Sequence, residues 1–122
     1  MIEVATEQFQ EFVDKAVDSL PETHREAIKN VGFFVMDEPS EEQLERGDVH
    51  AGYTLLGLYE GVPLAARQGR TGFMPDKITI FQKPHEHMAN SIEELKESIR
   101  HTVWHEVAHY FGLDHDAIAK LE

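Results

Sequence analysis

The chain has 122 residues, with 11 Lys and Arg against 23 Asp and Glu for a formal charge of −12, eight histidines and no cysteine. That length suits one domain spanning residues 1–122, and a 41% hydrophobic share beside 28% charged residues suits a globular chain rather than a disordered one. The acidic surplus argues against nucleic acid and anionic membrane surfaces as partners, and without thiols any metal must be held by His and carboxylate.

In chain order, residues 6–19 predict an amphipathic helix, with Phe9, Phe12, Val13, Ala16, Val17 and Leu20 at three- and four-residue spacing. Pro21 restarts a short helical stretch to about Lys29. The apolar run Val31 to Met36, bounded by Asn30 and Asp37-Glu38-Pro39, predicts a buried strand. Ser40 with Gln43 resembles a capping box for a short helix that Gly47 ends. Tyr53 to Tyr59 predicts a second strand, Glu60-Gly61 a turn, and Val62 to Ala66 a strand pairing back as a hairpin. Gly69, Gly72 and Pro75 mark residues 68–76 as a loop. Lys77 to Gln82 alternates in a strand pattern. The stretch MIEVATEQFQEFVDK lacks a basic and then apolar pattern, so no signal peptide is expected, and no apolar run approaches the roughly 18 residues of a membrane span. A soluble, cytoplasmic domain is the expectation.

Ser91 with Glu94 forms a second capping box, opening a helix from Ile92 to Phe111. Ile92, Leu95, Ile99, Val103, Val107 and Tyr110 make its apolar stripe. Trp104, Ala108 and Phe111 widen that stripe, leaving Ser98, Thr102, His105, Glu106 and His109 as the polar sector. This predicts a buried helix with one functional face.

That face carries His105-Glu106-Val107-Ala108-His109-Tyr110-Phe111-Gly112-Leu113-Asp114-His115, or HExxHxxGxxH. Two histidines four apart on a helix lie about 40° apart and can share one ion. Glu106 is rotated about 100° from His105. It is poorly aimed as a third ligand but well aimed at a water on that ion. Gly112 suits a left-handed helix end, after which the chain can bring His115 to the same ion. Three protein ligands leave a fourth position open for water, the arrangement of catalytic zinc sites. In a chain of this composition, chance produces the whole pattern roughly three times in ten thousand.

With these residues the sequence resembles the zincin-like metallopeptidases bearing the extended metzincin-type signature, and among them the small bacterial minimal zincins. The likeness covers roughly residues 30–118, through LLGLYEGVPLAAR, PDKITIFQKP and HTVWHEVAHYFGLDH. It implies an α+β fold, with a small mixed sheet whose edge strand lies above the C-terminal active-site helix. In zincins that edge strand aligns an extended substrate, and KITIFQ is the candidate here. The resemblance also implies Zn²⁺ as cofactor. The chain departs from metzincins in having no Met after His115, since Met36, Met74 and Met88 all lie upstream. In the minimal family the third-ligand position is often acidic, so Asp116 or Asp114 stands as an alternative to His115.

The expected function is zinc-dependent hydrolysis of a peptide or protein substrate, with Glu106 as general base. One alternative is a catalytically weak zinc-binding regulatory or protein-interaction module. Another is metal buffering by a His-rich acidic chain. His85-Glu86-His87 reads as a polar loop before a helix rather than a second metal clip. His101 reads as a surface residue or as a support behind the metal ligands rather than a ligand, and His24 and His50 as ordinary exposed ones. Residues 61–83 carry Arg67, Arg70, Lys77 and Lys83 against Asp76, a local surplus of +3. They read as a solvated segment balancing the acidic surface, or as cations for a substrate carboxylate or acidic partner.

Overall fold

In the computed structural model, which describes residues 1–28, 30–46, 55–61 and 76–112, the first apolar pattern folds as helix α1 (Thr6–Asp18). It buries Phe9, Phe12, Val13 and Ala16. Pro21 caps the short helix α2 (Glu22–Ala27), and strand β1 (Gly32–Met36) follows. The first capping box forms as expected ahead of α3 (Glu41–Arg46). The Gln43 N–H donates to Ser40 Oγ at 3.1 Å, while the Ser40 N–H donates to Gln43 Oε1 at 2.9 Å. Strands β2 (Gly57–Glu60) and β3 (Lys77–Phe81) lead into helices α4 (Gln82–Met88) and α5 (Ile92–Tyr110).

The three strands form one mixed sheet in the order β1-β3-β2. β1 runs parallel to β3, with Gly32 opposite Lys77 and Met36 opposite Phe81. β2 runs antiparallel to β3, with Gly57 opposite Ile80 and Glu60 opposite Lys77. The expected α+β class with a small mixed sheet is therefore present.

The expectation that KITIFQ supplies the edge strand is overturned. Lys77–Phe81 is the central strand, and among the described residues the edges are β1 and β2. The reason lies in its burial. Ile78 and Ile80 face the main core, yet Thr79 and Phe81 in the opposite phase are also fully buried. Alternation indicates which residues share a face, but it does not count neighbouring strands. Phe81 in the supposedly outward phase was the visible sign of a strand covered on both sides.

Gln82, read as the end of that strand, begins α4 instead. His85-Glu86-His87 also lies on α4, not in a loop. Pro84 is compatible with this helix because it stands in the first turn, where a backbone N–H has no intrahelical partner. β2 begins at Gly57, later than expected. The proposed strand positions 53–54, the helix end at Gly47, the hairpin arm at 62–66 and loop residues 68–75 lie outside the described residues.

The main core joins α1, α5 and the Ile78/Ile80 face of β3. A smaller cluster of Leu55, Leu58 and Phe81, packed by Leu44 of α3, covers the other face. Two layers thus press α5 against the sheet, and β2 is the strand that meets its polar sector. No helix among the described residues is long and apolar enough to cross a membrane.

Candidate metal centre

Local chemistry sets where α5 begins and ends. Ser91 Oγ accepts the Glu94 N–H at 3.1 Å, satisfying one orphan donor of the first turn. At the other end Gly112 has φ +93°, and its N–H donates to the His109 carbonyl at 2.9 Å. A side chain would be strained in that left-handed conformation, so glycine ends the helix where the motif requires a turn. Leu95, Ile99, Val103, Val107 and Tyr110 are buried as the stripe predicts. Tyr110 points into this apolar side, where its hydroxyl donates to the Ala27 carbonyl at 3.2 Å.

The opposite sector brings three side chains of the motif together. The candidate ligand atoms of His105, Glu106 and His109 all lie within 4.8 Å of one another. The two imidazoles are half-buried, their ring centroids 4.9 Å apart. Two imidazoles at this separation, beside a carboxylate, are a hard-to-borderline donor set suited to a divalent ion such as zinc. The residues present therefore fit the metal that the motif implies. His115 and its alternatives Asp114 and Asp116 lie outside the described residues, as do Arg67 and Arg70.

Glu106 is only 7% exposed, and one carboxylate oxygen accepts the backbone N–H of Tyr59 on β2 at 3.0 Å. Burial pushes its carboxyl from 4.5 up to about 7, against the smaller opposing effect of the Tyr59 bond. This strand contact was not anticipated. Its signal in the sequence was Gly57, a glycine inside a strand, which marks close backbone approach. A Cβ at Gly57 would stand 2.6 Å from Thr102 Cγ2 and 3.2 Å from Glu106 Cγ. Only a residue without Cβ lets β2 come near enough for Tyr59 to reach Glu106.

His101 is exposed, one turn before His105 with ring centroids 6.4 Å apart, and it does not join the three-residue group. His24 is half-buried rather than exposed, its ring 5.5 Å from that of Phe111. His85 is fully buried and hydrogen-bonded through both ring nitrogens, which rules out a metal clip with exposed His87. Of the basic segment, Lys77 Nζ lies 3.9 Å from Glu60 and Lys83 Nζ lies 4.0 Å from Glu38. Those two cations stand beside acids.

Among solved structures, a conserved hypothetical protein from Thermus thermophilus shares the fold. Its TM-score is 0.59 at 19% identity, over 97% of this chain and 100% of that one. No curated protein shows significant similarity. The profile of the zincin-like metallopeptidases matches residues 28–122, which include both β2 and the whole HExxHxxGxxH motif. This chain belongs to the zincin-like metallopeptidase family.

Proposed function

We propose that this chain is a zinc-dependent peptidase in which Glu106 is the proton-transferring residue. The observation that carries this reading is the conjunction at the end of α5. His105, Glu106 and His109 converge within 4.8 Å, and the carboxylate among them is buried and tethered to the edge strand. A metal-buffering chain has no need of such a carboxylate. His105 and His109 would hold the ion, with His115, or else Asp114 or Asp116, as the third ligand. When bound, zinc supplies Lewis-acid polarisation of a carbonyl and lowers the pKa of water.

The protein's own part is positioning and proton transfer. Glu106 takes a proton from the attacking water and later delivers it to the leaving amine. In the metal-free site burial raises this carboxyl from 4.5 to about 7 and holds it beside the two imidazoles. β2 assumes the substrate-aligning role first assigned to β3, because it is the edge strand of the described sheet that meets α5. Tying the carboxylate to β2 would fix the base relative to an extended peptide laid along that strand.

The test compares zinc content and hydrolysis of a mixed peptide library by the wild type and Glu106→Gln. Retained zinc with hydrolysis reduced at least a hundredfold is expected, given the usual contribution of about 10²–10⁴ from general acid–base catalysis. Equal hydrolysis by both proteins would remove Glu106 from the mechanism. A zinc-loaded wild type that cleaves nothing would favour the binding-module alternative.

A further inference from the structure

Below the contact between β2 and Glu106 lies a buried residue outside the motif, His85. On α4, His85 Nδ1 lies 2.8 Å from the Phe81 carbonyl, which can only accept, so this nitrogen carries the hydrogen. Burial lowers the pKa of His85, against smaller raising contacts with the Phe81 and Ser98 backbone. Thr102 Oγ1 lies 2.8 Å from Nε2 and is hydrogen-bonded to it. A buried threonine whose hydroxyl is committed sideways to another helix has its χ1 specified.

With the hydroxyl held by His85, the Thr102 methyl faces β2, where a Cβ on Gly57 would come within 2.6 Å. Glu106, one turn further along α5, presents Cγ to the same glycine. Two residues along the strand, the Tyr59 N–H reaches Glu106. We propose that Thr102, oriented by His85, is a positioning residue that seats β2 at Gly57 and thereby holds the Glu106 carboxylate on the Tyr59 amide. The inference deepens the reading of Glu106 as the proton-transferring group and rests on it for its catalytic meaning.

The strand pattern supplies an internal control. In the antiparallel β2–β3 pair, backbone groups of successive residues point alternately toward and away from the partner strand. The Tyr59 amide points away from β3, toward Glu106, whereas the Leu58 amide points to β3. Amide hydrogen exchange by NMR on the metal-free protein, with no substrate, therefore reads the two contacts separately.

Thr102→Ala and Thr102→Ser both remove the methyl and should speed exchange at Tyr59 at least tenfold relative to Leu58. Thr102→Val keeps a methyl toward Gly57 whichever branch faces it, and should hold that ratio within threefold of wild type. Global destabilisation raises both rates together and leaves the ratio unchanged. An unchanged ratio in Thr102→Ala or Thr102→Ser, or a tenfold change in Thr102→Val, would overturn the proposal. Full hydrolysis by Glu106→Gln would instead sink the catalytic reading without altering this ratio.

Discussion

Replacing Glu106 by Gln should stabilise the metal-free protein at alkaline pH and give no such gain in acid. In the unfolded chain the carboxyl ionises near 4.5, whereas the folded site holds it to about 7. Between those values the unfolded state gives up a proton that the folded state retains. The stability associated with this group is therefore fully present below pH 4.5 and is lost as the pH rises through 7. At about 1.4 kcal/mol per unit, the loss amounts to about 3 kcal/mol by pH 8. Glutamine is nearly isosteric, retains an oxygen for the Tyr59 N–H and does not ionise. Any cost of burying its NH₂ group is the same at every pH. The informative quantity is thus the stability gain of Glu106→Gln at pH 8 minus its gain at pH 4, expected near 3 kcal/mol.

Urea unfolding with a chelator present measures both gains, and in thermal scans the difference should be about 10 °C for a chain of this length. His85 contributes an opposite trend. Its pKa is lowered by burial, so the stability it confers falls as the pH drops below 6.5, but this is common to both proteins and cancels. A difference near zero would show that the carboxylate is solvated in the folded state, and would refute the buried-base account of the site.

Gly57→Ala should cost about 1–3 kcal/mol in urea unfolding, because the new Cβ meets Thr102 and Glu106 at overpacked distances; unchanged stability would argue against the close approach of β2. In zinc calorimetry, His105→Ala and His109→Ala should each weaken binding by roughly a hundredfold or more, while His101→Ala stays near wild type. His115→Ala in the same assay identifies the third ligand: a comparable loss assigns it to His115, and wild-type affinity passes the role to Asp114 or Asp116. Ser91→Ala should cost about 1 kcal/mol and Ser91→Gly a few tenths, since the cap bond to the Glu94 N–H starts α5; equal stability of wild type and Ser91→Ala would refute that cap.

Much of α5 was legible without coordinates because its determinants are local. The Ser91 cap, the stripe from Leu95 to Tyr110 and the left-handed Gly112 each depend on residues within a few positions, and all three stand in the structure. The motif is local in the same sense. Four-residue spacing on a helix brings His105 and His109 together whatever surrounds them, and the family match over residues 28–122 agrees with that reading.

Other features depend on partners far away in the chain. KITIF alternates like a half-exposed strand, and only pairing with β1 on one side and β2 on the other makes it central. The Glu106–Tyr59 bond spans 47 positions and the His85–Thr102 bond 17, separations at which residue spacing carries no information about contact. The sequence alone thus determined that His105 and His109 share one helix face, since helical periodicity is intrinsic to the chain. Tertiary packing alone decided which strand meets that helix and how the carboxylate is buried and held. Those properties arise from apposed surfaces that no single segment encodes.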